Sequence, residues 1–219
     1  GGNGIFTIDL PVITNEVKAE GLKALSERFG TITERRFETI GPSLSRELLH
    51  KTLAALLIVA TVITAYIWRQ FSDLKFGVCA TIAMLHDSII LLGAFSFFGY
   101  LWRIKVDVLF VTALLTTLSF SVHDTIVVYD RIRELQRKNR GVDFGEIVST
   151  SVLETLVRSL NNSVTIIMML SALALLGGET IRWFAVALLI GAVTGTYSST
   201  FTAAPLLLLW DEVVAKRKK

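Results

Sequence analysis

Five long apolar stretches constrain the fold of this chain more than any other feature of its sequence. A helix of about 20 residues is long enough to cross the ~30 Å hydrocarbon core of a bilayer. The stretches that reach this length lie at about residues 48–68, 76–98, 106–129, 156–176 and 184–210. With 52% hydrophobic residues and only three prolines, the chain is also too apolar for an ordinary soluble domain. The sequence therefore predicts an α-helical membrane protein with five spans.

The basic residues in the short loops predict how these spans are oriented, because cytoplasmic loops are enriched in Lys and Arg. Eleven basic residues fall on one side: Arg69, Lys75, Arg131, Arg133, Arg137, Lys138, Arg140, Lys216, Arg217, Lys218 and Lys219. The opposite loops contain only Arg103, Lys105 and Arg182. We expect the chain to begin outside the cytoplasm and to end inside it. The net charge of +3 then reflects membrane topology and gives no reason to expect a nucleic-acid partner.

The first 46 residues are mixed and charged, and they predict part of a small extracytoplasmic (periplasmic) α/β domain. We expect strands near residues 5–10 and 31–40 and a helix near residues 15–29, with Thr14 as its N-cap. Pro42 is placed to start the helix that enters the membrane. One strand–helix–strand unit is too small to bury a core, so we expect the rest of this domain, and a preceding membrane helix, elsewhere. The alternative is a linker.

A polar stripe interrupts the apolar third span near its end. Thr117, Ser121 and Asp124 follow one another at spacings of four and three, which puts them on one helix face. An ionised carboxylate inside a bilayer costs at least ~2.5–3.5 kcal/mol, so an intramembrane aspartate indicates a functional site. A second polar stripe, in the fourth span, consists of Arg158, Asn161, Asn162 and Thr165.

Asp124 and Arg158 are predicted to lie at similar depth on consecutive antiparallel helices. We therefore expect the two stripes to face each other, and the carboxylate and guanidinium to pair or to exchange a proton. Two alternatives stay open: a static structural pair, and an Arg158 side chain that merely extends to the lipid headgroups.

A second ionisable cluster, His86 and Asp87, falls near the middle of the second span. Adjacent helical residues point about 100° apart, which predicts that the two do not face one site. We expect Asp87 to face the polar seam or a neighbouring chain, and His86 to hydrogen-bond a helix. A purely structural contact between helices is the alternative.

The fifth span carries a face of small residues. Gly191 and Gly195 have the GxxxG spacing, and Ser198 and Ser199 continue the same face. Such a face predicts close helix packing. Packing within the chain is favoured over dimerisation.

Five motifs in this chain resemble SecF, the smaller half of the SecD–SecF protein-export complex and a member of the resistance-nodulation-division (RND) superfamily. The motifs are IGPSLSREL, AMLHDSIILLG, SVHDTIVVYDRIRE, ETLVRSLNNSVT and LLGGETIRWFAVALLIGAVTGTYSSTF. They occur in the order and spacing typical of that family, and the likeness extends over residues 41–210. The residues before them resemble the second half of the SecF periplasmic domain.

The resemblance implies a six-helix bundle in the bacterial cytoplasmic membrane, of which five helices are present here. It implies SecD as a partner beside the SecY-E-G channel, with SecA as the upstream motor and a translocating preprotein as the substrate. The proton-motive force then drives late export, with protons as the coupling ion and no metal or organic cofactor. Asp124 and Arg158 match the residues that the family ties to proton passage, and SecD contributes a further aspartate.

The residue before this aspartate is usually Asn in the family and is His123 here. An imidazole at this place has two interpretations: a proton relay toward the cytoplasm, or a packing contact like that of the Asn. Neither a GxGD nor an HExxH motif occurs in the sequence, which argues against an intramembrane protease. The remaining alternatives are a non-conducting subunit that assembles with SecD and a small RND-type exporter, although an exporter needs longer late loops.

Overall fold

The structure, a computed structural model, describes residues 15–30 and 42–217, within which it contains seven α-helices and one π-helical segment. The first helix, α1, is Asn15–Phe29, and the sequence predicted a helix at these residues. Both predicted strands and the Thr14 cap lie outside the described residues. The chain divides into two compact units, Gly1–Leu53 and Ala54–Lys219. The domain boundary after residue 46 and the extracytoplasmic α/β domain stay predictions.

Five spans in the described part of the chain are long and apolar enough to cross a membrane, as the sequence predicted. Four are single helices: α2 Pro42–Phe71, α3 Leu74–Trp102, α4 Val108–Lys138 and α5 Phe144–Leu176. The fifth span is built from α6 Glu179–Ser198, the π segment Ser199–Ala203 and α7 Ala204–Arg217. The α-helical membrane architecture is therefore confirmed. Within the fifth span, the π segment separates α6 from α7.

Three of these helices begin directly after an aspartate that accepts hydrogen bonds from their first backbone N–H groups. The carboxylate of Asp73 accepts from Lys75 N at 3.0 Å, and that of Asp107 accepts from Phe110 N at 2.9 Å. Asp143 does the same for α5. An N-cap of this type satisfies an otherwise unpaired N–H group and favours a negative charge at the positive end of the helix dipole.

Side-chain contacts gather the junctions α2–α3 and α4–α5 and the middle of α7 at one end of the bundle, here called the basic end. Lys75 Nζ lies 3.0 Å from Asp211 Oδ1 on α7 and 4.8 Å above the ring of Phe144 on α5. Arg133 on α4 donates to the carbonyl oxygen of Gln70 on α2 at 2.7 Å. These contacts fix the ends of four helices around one charged layer.

The opposite end of the bundle is closed by aromatic side chains. The ring centroids of Trp102 and Trp183 lie 6.1 Å apart, and Phe98 lies 5.9 Å from Trp183. Trp rings prefer the boundary between hydrocarbon and headgroups, where one side is apolar and the other is wet. This cluster therefore suits the boundary between a membrane and water.

Two hydrophobic clusters form the core, and α3 and α4 contribute buried residues to both of them. One lies toward the basic end and includes Phe76, Met84 and Tyr129; the other lies toward the aromatic end and includes Leu91 and Phe110. Buried polar residues separate the two clusters at the level of Asp87 and Ser121. In contrast, α2 contributes two buried residues, Ile67 and Phe71 near its end, and the rest of its described apolar surface is at least partly exposed.

The glycine face of α6 packs directly on α4, within this chain. A methyl group on Gly191 would overlap the side chain of Thr117, and one on Gly195 would lie 3.1 Å from the Cα of Ser121. The two helix backbones approach closely because these positions lack side chains.

We expect Gly191→Ala to destabilise the bundle by about 1–3 kcal/mol, because the added carbon overpacks a contact with no room for it. The measurement is the thermal unfolding midpoint of the purified protein in detergent. Gly93→Ala is the matched control, since nothing lies within 4 Å of a methyl group at that helical glycine. Equal losses in both variants would contradict the close contact.

Candidate functional site

A buried carboxylate on α3 joins three helices between the two hydrophobic clusters. Oδ2 of Asp87 accepts hydrogen bonds from Ser121 Oγ on α4 at 2.5 Å and from Ser198 Oγ on α6 at 2.6 Å. The side chain of Asp87 is only 5% exposed. A carboxylate at this depth is tolerable because charge-assisted hydrogen bonds compensate for part of its lost hydration.

His86 completes this cluster, contrary to the expectation that it does not share a site with Asp87. Its Nδ1 lies 3.1 Å from Oδ1 of Asp87, and its side chain is 37% exposed. The 100° angle between adjacent helical residues applies to their Cα–Cβ directions, and the imidazole bends back across it. Asp87 itself faces the α4 stripe, one of the two positions expected for it.

Asp124 lies on the same face of α4, three residues beyond Ser121, and is 2% exposed. Its Oδ2 atom has no hydrogen-bond partner among the described residues. Buried polar atoms without partners are rare in folded proteins, and they occur at functional sites more often than in inert cores. Asp124 is therefore the strongest candidate for a group that gains and loses a proton.

A second buried oxygen without a partner in the described residues is Ser159 Oγ on α5. The Arg131–Glu154 ion pair, 2.5 Å between Nε and Oε2, sets a common level for α4 and α5. Asp124 is seven residues from this level, or ~10.5 Å, and Ser159 is five residues from it, or ~7.5 Å. The two unpartnered groups thus differ by only ~3 Å in depth on neighbouring helices.

The second polar stripe does not face the first one, which corrects the sequence expectation. Arg158, Asn161, Asn162 and Thr165 are all exposed on α5. The face that α5 buries instead carries the small residues Ser151, Thr155, Ser159 and Ser163 at spacings of four. Small side chains let helices approach closely, so α5 packs on this face and turns the larger polar residues outward. No ion pair joins Asp124 to Arg158 in the described chain.

Arg158 lies instead in a charged cleft between α4 and α5 at the basic end. The cleft has a volume of about 410 Å³, and its lining includes Asp130, Arg131, Glu134 and Glu154. Arg131 bridges the two glutamates there, at 2.5 Å to each. A cleft lined by both charge signs favours water over lipid, and its lining on α4 begins at Val127, three residues beyond Asp124. His123 is also exposed, away from the buried stripe of its helix.

The π segment packs against α3 and α4, and a hydrogen bond from α4 holds it in place. The hydroxyl of Tyr129, which is fully buried, donates to the carbonyl oxygen of Ala203 at 3.1 Å. Ser199 is fully buried within the segment, directly after Ser198. Short π-helical turns inside α-helices occur frequently at functional sites, because the wider turn frees backbone groups and lets the helix shift.

Sequence reasoning missed the polar contacts of α5 and α6. Ser163 Oγ and Thr196 Oγ1 lie 2.5 Å apart, and Ser198 donates to Asp87 although it was predicted only as a packing residue. A signal was present, because Ser151, Thr155, Ser159 and Ser163 recur at every fourth residue. Small residues at every fourth position indicate a closely packed helix face, just as the stripe of Arg158, Asn161, Asn162 and Thr165 indicates a polar face.

Comparisons with known proteins agree on one family. Residues 21–213 match the family model described as "Protein export membrane protein SecD/SecF, C-terminal". The protein translocase subunit SecF of Thermobaculum terrenum is 46% identical over 198 residues, which cover 89% of this chain and 62% of that protein. SecF of Anaerolinea thermophila is 40% identical, covering 96% of this chain and 70% of its own length. The chain thus spans 62% to 70% of these two relatives.

A solved structure gives the same result. The crystal structure of SecDF, a translocon-associated membrane protein from Thermus thermophilus, superposes with a TM-score of 0.82 at 34% identity. The match covers 93% of this chain and 27% of that protein. From the family model, the curated relatives and the shared architecture, we conclude that the chain belongs to the SecD/SecF family of protein export membrane proteins.

Proposed function

We propose that this chain is the membrane part of the SecF subunit of a bacterial protein translocase, located in the cytoplasmic membrane. Support comes from the family, and from relatives that are named protein translocase subunits. The distribution of basic residues supports an N-terminal segment outside the cytoplasm and a C-terminus inside it. The role does not require an enzymatic activity of the chain.

SecD is the partner that we propose for the exposed polar face of α5. Arg158, Asn161 and Asn162 are exposed within a membrane-spanning helix, and such residues are very unfavourable against lipid. A protein surface therefore covers them. The relative from Thermus thermophilus that is named SecDF matches 94% of this chain within 27% of its own length, which supports SecD as that surface. The SecY-E-G channel, SecA and the translocating preprotein follow as further partners from the family resemblance.

We propose that protons are the coupling ion and that Asp124 carries them. The observation that supports this role most is a carboxylate, 2% exposed, with an unpartnered oxygen inside a membrane-spanning helix. Each charge that crosses a potential of 100 mV contributes ~2.3 kcal/mol, which is enough to shift a two-state helix arrangement. The test compares proton-driven export in membrane vesicles that carry the wild-type protein or Asp124→Asn.

Arg158 has a coupling role in this mechanism. In the present arrangement Asp124 is buried and Arg158 is exposed in the cleft, about 100° around α5 from the buried Ser159. We propose a second arrangement in which α5 shifts and the guanidinium approaches the carboxylate. The nearby positive charge then holds Asp124 ionised, and the present arrangement lets it take up a proton. Protonation is thereby linked to movement of the helices.

His123→Asn tests whether the exposed imidazole beside Asp124 relays protons. Imidazole side chains titrate near neutral pH, so loss of a relay shifts the pH profile of export, measured between about pH 5 and 8. We expect such a shift. His50→Asn, which removes an exposed histidine near the start of α2, is the control. A profile identical to wild type would assign His123 a packing role like that of the family's Asn.

A further inference from the structure

The cluster of Asp87, His86, Ser121 and Ser198 contains a second buried carboxylate, which the Asp124 route does not use. Oδ2 of Asp87 accepts the two serine hydroxyls at 2.5 and 2.6 Å, and Oδ1 lies 3.1 Å from His86 Nδ1. The two hydroxyls donate to the carboxylate, and Nδ1 donates to it as well when that nitrogen carries a proton. The arrangement therefore fits the charged form of Asp87 in this structure.

His86 is the titratable side chain that touches this carboxylate. Two titratable residues of α4 lie near Ser121. His123 is exposed, and Asp124 is buried one helical turn beyond Ser121. On α6, after Arg182 at its outer end, the described residues include one titratable side chain, Tyr197, which is 55% exposed. The π segment contains none. Among the described residues, the titratable side chain in contact with Asp87 is thus the partly exposed imidazole of His86.

Building on the proposed proton-coupling function, we infer that the His86–Asp87 pair is a second proton-exchange site that controls how tightly α3 binds α4 and α6. In this step the Nδ1–H bond of an imidazolium breaks and an O–H bond forms on Oδ1 of Asp87. The products are a neutral imidazole and a neutral carboxyl group that remain hydrogen-bonded. The proton-motive force supplies the proton that His86 carries.

The helices sense this step through the serine hydroxyls. Hydrogen bonds to a charged carboxylate are roughly twice as strong as those to a neutral carboxyl group. Protonation of Asp87 therefore weakens its bonds to Ser121 and Ser198 together. Ser121 lies one turn from Asp124, and Ser198 directly precedes the π segment. Protonation of Asp87 in this way affects the Asp124 site through Ser121. It also affects the π segment of the fifth span through Ser198.

Infrared difference spectroscopy tests the inference, because a protonated carboxyl group has a C=O stretching band that a carboxylate or amide lacks. The sample is the full-length protein purified with SecD in lipid vesicles, titrated from about pH 8 to pH 5. We expect a band of Asp87 and a band of Asp124 to appear on acidification. Asp87→Asn removes one band and most gradient-driven export, although Asn keeps the volume and accepts both hydroxyls. Asp124→Asn removes the other band.

Further variants separate proton exchange from a structural role. Ser198→Ala is expected to raise the frequency of the Asp87 band, because its carbonyl oxygen loses a hydrogen bond. Ser88→Ala is the matched control, since this buried hydroxyl donates to Met84 O and not to Asp87. His86→Gln is expected to shift the pH midpoint of the band that remains in Asp124→Asn.

Two results distinguish failure of this inference from failure of the proposed function. If Asp87→Asn leaves both bands in place, Asp87 does not exchange protons and the inference is overturned. If Asp124→Asn removes no band, the proposed role of Asp124 fails instead. Should Asp87→Asn not accumulate in membranes, His86→Gln decides, and an unshifted midpoint overturns the inference.

Discussion

Proton-driven export falls to the level measured without a gradient when Asp124 is replaced by Asn; this is the largest effect that we expect from a single substitution. The amide has the volume of the carboxylate and accepts similar hydrogen bonds, but it does not take up or release a proton in this pH range. Asp124 is 2% exposed, so water does not replace it as a proton carrier. The measurement is preprotein export by membrane vesicles, with and without an imposed proton gradient.

Asp107→Asn is the matched control for this experiment. It makes the same chemical change on the same helix, and Asn caps a helix about as well as Asp. Asp107 caps the start of α4, far from the buried stripe, and its carboxylate accepts from Phe110 N. We expect wild-type export from this variant. Export at the wild-type rate from Asp124→Asn would refute the proton-carrying role and favour a non-conducting subunit that assembles with SecD.

The spans were predictable because their signal depends on length and apolarity, and neither depends on which helix faces which. The helix Asn15–Phe29 was predictable for a related reason, since a helical period is visible in a short window. The interruption of the fifth span at Ser199–Ala203 was not predictable. A π turn arises from packing against Tyr129 and its neighbours, and the local sequence of the segment is compatible with an ordinary α-helix.

The partner of the Asp124 stripe was the main error of the sequence prediction. Helix α5 has two polar faces, one containing Arg158 and one containing Ser159, and periodicity alone gives both equal weight. The choice depends on side-chain volume, because a face of Ser and Thr lets α5 approach α4 and α6. It also depends on the partner that covers the other face. A single sequence does not contain that partner.

The Asp87 cluster shows a different limit. The sequence indicated an ionisable residue near the middle of the second span at Asp87, but Ser198 carried no signal beyond its small size. The hydrogen bond between Ser198 and Asp87 connects residues 111 positions apart in the chain. Contacts of this kind depend on the parallel packing of α4 and α6, whose register allows Thr117 to pack against Gly191, where a larger residue would clash.

Arg158 is the site of the second large effect. We expect Arg158→Ala to lose nearly all gradient-driven export and Arg158→Lys to retain an intermediate rate. Lysine keeps the charge that stabilises an ionised Asp124, but it lacks the planar fork that binds a carboxylate through two parallel hydrogen bonds. Arg140→Ala is the control, because this exposed arginine lies in the loop between α4 and α5 and outside the cleft.

Copurification with SecD separates the two roles that Arg158 has in the proposal. If Arg158 only docks the exposed face of α5, Arg158→Ala releases SecD, and export fails because the complex is lost. If Arg158 couples the charge of Asp124 to helix movement, the variant still binds SecD through Asn161, Asn162 and Thr165 and fails only in the gradient-driven step. We expect the second result. Full export by Arg158→Ala would contradict both roles. If Arg158→Ala loses SecD and Arg158→Lys retains it, the positive charge at this position serves to dock SecD.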